Sequence, residues 1–173
     1  SRHKFTSFIG LNTLFVALCN NKDFTELDFS HLKHTLSGGM ALTEAAAATW
    51  KKVTACEVQE AYGLTETSPA VSFNPYHDIR LGTIGKALPG TQVKVIGADG
   101  SDLGFNQEGE LCVKGPQVMA GYWQLPEATA AVLGADGWLK TGDVAILAED
   151  GFIRLVDRIK DMINVSGFNV YPN

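Results

Sequence analysis

The stretch Glu60-Ala61-Tyr62-Gly63-Leu64-Thr65-Glu66-Thr67 organises the reading of this chain. It follows an extended-looking run from Glu57 to Ala61 and brings an aromatic ring, a glycine, a hydroxyl and a carboxylate within five positions. A hydroxyl donates to a phosphate oxygen. A carboxylate beside that phosphate is repelled unless Mg²⁺ lies between them. Thr65 and Glu66 therefore read as a phosphate contact and a metal contact, with Tyr62 as a flat surface for a base. The same residues also read as a polar turn after a strand, with Tyr62 packed in a core. Short motifs specify chemistry loosely, so both readings stand at this point.

Upstream of this stretch, strand and helix patterns alternate. Lys4 to Ile9 carries Phe5, Phe8 and Ile9 and reads as a short buried strand ended by Gly10. Asn12 or Thr13 can cap a helix with Leu14, Phe15 and Leu18 at helical spacing, closed by Asn20-Asn21-Lys22-Asp23. Thr35-Leu36-Ser37 reads as a strand running into Gly38-Gly39. Thr43 can cap a helix whose face is Leu42, Ala46, Trp50 and Val53. Such alternation predicts parallel pairing with βαβ connections.

Downstream of Pro75 the texture changes. Gly82 to Leu88 is short and glycine-spaced, Thr91 to Ile96 alternates, and Asp99-Gly100 is a turn pair. Gly109 to Gly115 is a further strand candidate. Pro126 suits the first turn of a helix through Val132. Val144–Leu147 and Phe152–Val156 flank Glu149-Asp150-Gly151 as a hairpin. The expected fold class is α/β, a βαβ-type first part followed by a mostly antiparallel β second part. The expected division is 1–80 as the α/β part, 81–157 as a β-rich subdomain and 158–173 as a further segment.

With 173 residues, 14 basic and 19 acidic side chains and a net charge of −5, the chain is acidic and long enough to bury a core. That charge argues against nonspecific nucleic-acid binding, whose footprint is basic. Cys19, Cys56 and Cys112 are odd in number and far apart, which suits a reducing compartment and offers neither a disulfide framework nor a CxxC site. His31 and His34 lack an evident third metal ligand and read as solvated.

Two later stretches extend the opening motif in order: Trp138-Leu139-Lys140-Thr141-Gly142-Asp143 and Asp157-Arg158-Ile159-Lys160-Asp161-Met162-Ile163. Together with Tyr62-Gly63-Leu64-Thr65-Glu66 they resemble the signatures of the adenylate-forming (AMP-binding) superfamily of acyl-CoA synthetases, luciferases and peptide-synthetase adenylation domains. Gly10-Leu11-Asn12-Thr13-Leu14-Phe15, Gly109 to Met119 and Val165 to Pro172 make the chain resemble bacterial long-chain fatty-acid–CoA ligases.

This resemblance implies a set of roles. Gly38 and Gly39 would wall the adenine and acyl pocket, although Gly39-Met40-Ala41-Leu42 departs from the Gly-Gly-Ala-Pro-Leu of many relatives. Tyr62 and Gly63 would border the nucleotide, Thr65 and Arg158 would hold phosphate oxygens, and Glu66 would hold Mg²⁺. Asp143 would accept hydrogen bonds from the ribose diol; read alone, it is a turn-capping aspartate at a strand end. Lys160 would be the hinge of a mobile C-terminal domain, and Ser166 and Gly167 would border the pantetheine of coenzyme A. The implied activity is that of an acid–thiol ligase using ATP, Mg²⁺ and coenzyme A on a fatty acid. The implied setting is cytoplasmic, with peripheral membrane association and a homodimer left open.

The resemblance further implies a fragment of the large domain, with 158–173 as the hinge and the start of the C-terminal domain, because no Gly-rich phosphate loop and no late catalytic lysine occur among the 173 residues. An aryl-CoA ligase, a peptide-synthetase adenylation domain and a non-catalytic nucleotide-binding module are the alternatives.

Overall fold

The computed structural model describes residues 3–159 and the strand residues 163–165 and 168–170. Lys160, Ser166 and Gly167 lie outside the described residues. The chain divides into two compact units, residues 1–62 with 73–85 and residues 63–72 with 86–173.

The first unit carries β1 (Ser7–Gly10), α1 (Asn12–Cys19), α2 (Lys22–Thr25), β2 (His34–Ser37), α3 (Glu44–Thr54) and most of β3 (Val58–Gly63). β1 pairs in parallel with β2, and β2 in parallel with β3, as the alternation of elements predicts. Their shared core is aromatic. Trp50 and Phe15 are fully buried, with ring centroids 4.7 Å apart, and Phe8 stacks on Trp50 at 5.2 Å. The Trp50 indole N–H donates to Thr35 Oγ1 at 3.1 Å, so the buried ring keeps its one donor satisfied.

Two local expectations need correction. β1 is not a buried strand: Ile9 is 72% exposed, because only the face bearing Phe8 meets the aromatic core. Neither Asn12 nor Thr13 caps α1; Leu11 is its N-cap and supplies no side-chain bond. Asn12 Oδ1 instead accepts from the backbone N–H and the hydroxyl of Thr43, at 3.0 and 3.1 Å. Thr43 is the N-cap of α3, accepting from Ala46 N–H at 3.2 Å. One asparagine therefore ties the start of α1 to the start of α3, and its side chain is lost as a cap to do so.

In the second unit, β4 (Ala70–Phe73, lying mostly here) and β5 (Lys86–Ala87) are followed by the sheet β6 (Gln92–Ile96), β7 (Glu108–Lys114), β8 (Leu139–Leu147) and β9 (Ile153–Arg158). All three pairings of this four-stranded sheet are antiparallel. Val95, Leu111, Val113, Leu139, Ala145 and Ile153 form its buried face. The helix α4 (Pro126–Val132) opens on proline at its first turn, as expected. Ala148-Glu149-Asp150-Gly151 turns β8 into β9, with Gly151 at φ 87° and its N–H bonded to Ala148 O at 2.9 Å. β10 (Ile163–Val165) and β11 (Phe168–Val170) pair antiparallel. No helix of the described residues is long and apolar enough to cross a membrane.

Candidate functional site

In the first unit the candidate residues lie at or just beyond the carboxyl ends of parallel strands, where open α/β sheets bind ligands. Gly38 and Gly39 follow β2, and Tyr62 lies near the end of β3. Gly39 adopts φ 82°, a left-handed conformation that glycine takes without strain. A cleft of about 420 Å³ in this unit is lined by Lys33, Lys51, Glu57 and Tyr76, among others. Lys33 and Glu57 precede their strands, so the cleft is at the opposite end of the sheet from Gly38, Gly39 and Tyr62.

Sequence reasoning missed the residue that braces this end. Glu60 is 8% exposed, and its Oε2 accepts from Gly82 N–H at 2.8 Å. The backbone N–H of Leu42, which closes the Gly38-Gly39-Met40-Ala41 segment, also acts on this carboxylate and favours its charged form. Burial pushes the Glu60 carboxyl above its ordinary pKa, and the two backbone donors oppose that push. The available signal was the pair Gln59-Glu60 inside a strand: both are buried, and such polar side chains need partners. Gln59 finds Asn74 O at 2.7 Å.

In the second unit the chain passes from Gly63 into a 3₁₀ turn at Thr65–Thr67. A Cβ on Gly63 would lie 1.8 Å from the carbonyl oxygen of Pro69, so only glycine fits there. Thr67 is buried and locks the turn; its hydroxyl donates to Pro69 O at 2.7 Å and accepts from Leu64 N–H at 3.0 Å. Thr65 is left exposed on this turn.

Glu66 is half-buried and held twice by one segment. Its carbonyl accepts from Met119 N–H at 2.8 Å, and its Oε1 accepts from the Tyr122 hydroxyl at 2.7 Å. Oε2 has no hydrogen-bond partner among the described residues. Hydrogen bonding to the Glu66 carboxylate holds the Tyr122 proton in place and raises the phenol's pKa. Tyr122 was also missed; Gly121-Tyr122-Trp123 carries no local sign of its partner 56 residues away.

Asp143 and Arg158 are brought together. They are register partners across β8 and β9, and Arg158 Nε lies 3.1 Å from Asp143 Oδ1. The aspartate side chain is 6% exposed and the arginine 54%. Asp143 is not at a strand end, because β8 begins at Leu139. It sits where the β7–β8 register shifts between Glu110 and Cys112, with Gly142 at φ 73°. Thr141 Oγ1 donates to Leu111 O at 2.8 Å and accepts from Asp143 N–H at 3.1 Å, while Glu110 Oε1 accepts from Gly142 N–H at 3.1 Å. Bulges of this kind re-aim side chains and commonly border functional sites.

The donor set fits Mg²⁺. That ion is often held by one or two carboxylates plus substrate phosphates, and Glu66 offers one hard oxygen that has no hydrogen-bond partner among the described residues. No group of three or more His, Cys, Asp or Glu that could hold a metal occurs among the described residues. His34 packs on the Tyr76 ring at 5.0 Å. Burial pushes the Cys112 thiol up to about 11, which leaves it protonated and unreactive.

Residues 1–123 match the family model described as AMP-binding enzyme. The chain is 52% identical over 174 residues to a long-chain-fatty-acid–CoA ligase of Salmonella typhimurium, covering 100% of this chain and 31% of that protein. The corresponding Yersinia pestis ligase is 55% identical over 175 residues, covering 100% of this chain and 31% of its own length. Luciferin 4-monooxygenase of Photinus pyralis is 40% identical, covering 98% of this chain and 31% of that protein.

Among solved structures, the anthranilate CoA ligase AuaEII in complex with anthranoyl-AMP superposes with TM-score 0.90 at 30% identity, over 99% of this chain and 33% of that one. ATP-bound MatB from Rhodopseudomonas palustris gives 0.86 at 35% identity, over 96% of this chain and 33% of that one. The chain thus spans about a third of the length of the relatives it matches. The match over residues 1–123 and the likeness across the full length agree: this chain belongs to the AMP-binding enzyme family.

Proposed function

We propose that this chain is part of a long-chain fatty-acid–CoA ligase. Such an enzyme activates a fatty acid with Mg-ATP to an acyl-adenylate and passes the acyl group to coenzyme A. The observation that carries the reading is the 52% identity to such a ligase along the whole chain, against 40% to the luciferin monooxygenase.

In the first step a fatty-acid carboxylate oxygen attacks the α-phosphorus of ATP, and pyrophosphate leaves. Thr65, exposed on its 3₁₀ turn, donates to a phosphate oxygen. Arg158 offers a planar set of N–H donors to phosphate and ribose, of which Nε engages Asp143 in the free protein. Asp143 accepts from the ribose hydroxyls, and Tyr62, Gly63, Gly38 and Gly39 border the base. Glu66 would hold Mg²⁺, which when bound neutralises charge on the phosphates. Alignment and fixed charges supply most of the acceleration.

In the second step the coenzyme A sulfur attacks the acyl carbonyl carbon, AMP leaves and the thiol proton is lost. Ser166 and Gly167 would border the pantetheine, and Lys160 would be the hinge between the two half-reactions. The three free cysteines suit a cytoplasmic setting.

An aryl-acid ligase is the second reading, favoured by the superposition on the anthranilate CoA ligase. One experiment separates the two: thioester formation with a panel of aliphatic acids of increasing length and aryl acids, using an enzyme of the relatives' full length that carries this chain. Preference for long aliphatic acids is expected; preference for aryl acids would overturn the fatty-acid assignment. In the same enzyme Glu66→Gln is expected to lower ATP–pyrophosphate exchange by orders of magnitude at saturating Mg²⁺. An unchanged rate would remove Glu66 from the site.

A further inference from the structure

We propose that Tyr122 is a positioning residue for the Glu66 carboxylate, and that Thr129 holds Tyr122 in turn. The proposal rests on the reading of Glu66 as the residue that holds Mg²⁺. A carboxylate on a two-carbon stem rotates freely unless something fixes it. Here the Tyr122 hydroxyl donates to Oε1 at 2.7 Å, while Met119 N–H fixes the same residue's backbone at 2.8 Å. One oxygen is thereby committed and oriented, and Oε2 is the oxygen without a partner among the described residues. This is the arrangement that outer partners of metal ligands usually provide.

Tyr122 is itself built in rather than resting on a free loop. Its backbone N–H donates to Thr129 Oγ1 at 2.9 Å, and Thr129 Oγ1 donates to the carbonyl of Leu125, the N-cap of α4, at 2.9 Å. Gly121 lies against that hydroxyl: a Cβ there would meet Thr129 Cγ2 at 2.9 Å and Oγ1 at 3.1 Å. The segment is also stitched down by Gln117, whose amide donates to Ala70 O at 3.1 Å and to Thr91 Oγ1 at 2.7 Å. A line of bonds therefore runs from α4 through Thr129 and Tyr122 to Glu66. A surface tyrosine with a chance contact would need neither the Thr129 bond nor the Met119 bond.

The test uses an enzyme of the relatives' full length that carries this chain, with calorimetric binding of ATP in the presence and absence of Mg²⁺. Tyr122→Phe is expected to weaken Mg-ATP binding about tenfold, the low end for loss of an outer partner of a metal ligand. It should leave metal-free ATP binding and the melting temperature unchanged. In a Glu66→Gln background the same substitution should add nothing. Thr129→Ala should shift Mg-ATP binding in the same direction by less, and it carries the test alone if Tyr122→Phe does not fold. Equal weakening of Mg-ATP and metal-free ATP would overturn the proposal, since a merely structural role predicts that. So would unchanged Mg-ATP binding in Tyr122→Phe when Glu66→Gln weakens it, a result that leaves the Glu66 reading standing. Unchanged Mg-ATP binding in Glu66→Gln would overturn both.

Discussion

Asp143 shows how the fold fixes one candidate side chain. It is buried, its backbone is held by the Thr141 hydroxyl, and its carboxylate already meets Arg158. If ribose hydroxyls are its partners, Asp143→Ala should weaken ATP more than fatty acid. Hydrogen bonds to a charged group contribute about 1.5–3 kcal/mol each, so with water replacing part of the loss the ATP KM should rise about tenfold to a few hundredfold. Measuring both KM values with the melting temperature checks it. A sharp fall in melting with an unchanged ATP KM would make Asp143 structural. Gly63 is a simpler case. A methyl group there would sit 1.8 Å from a backbone oxygen that is not a flexible side-chain end. Gly63→Ala should therefore cost about 3 kcal/mol in urea unfolding. A loss within experimental error would mean that the turn relaxes.

Between elements, the bonds that matter join segments far apart in sequence. Asn12 joins α1 to the cap of α3, and Glu60 joins β3 to the Gly82 backbone. Glu60 gives this bracing a pH signature. Burial raises its carboxyl above the ordinary value of 4.5, so the folded state holds the proton more tightly than the unfolded chain does. The stabilisation this provides is complete below the unfolded pKa and is lost as pH rises through the folded one; above that the cost is constant. The wild-type protein should thus lose stability relative to Glu60→Gln as pH climbs from about 4.5, and the difference should level off at higher pH. Urea midpoints of both proteins across that range measure it. Parallel profiles would show that Glu60 does not titrate differently in the folded state.

For the molecule as a whole, the division into two units keeps Tyr62 in the first and Gly63, Thr65 and Glu66 in the second, so the opening motif straddles a boundary. The chain spans about a third of the length of the relatives it matches. The 173-residue chain alone is expected to form no acyl-CoA from fatty acid, ATP and coenzyme A. A mass-spectrometric assay for the thioester decides it, and any ATP-dependent product would defeat the expectation.

Several features were legible in the sequence because their causes are local. The alternation of strands and helices, the Thr43 cap, proline at the start of α4 and the turn at Gly151 all depend on neighbours within a few positions. The three ordered motifs, read against relatives, also placed the chain in its family and nominated Thr65, Glu66, Asp143 and Arg158. Tertiary structure alone decided the rest. Only packing against Phe15 and Trp50 left Ile9 outside the core, and only the β8–β9 register set Arg158 beside Asp143. Tyr122 meets Glu66 across 56 positions, a separation at which a hydrogen bond leaves no periodicity, spacing or propensity in the chain. A cap answers to the residues beside it; a partner supplied by another strand or loop exists only once the chain has closed.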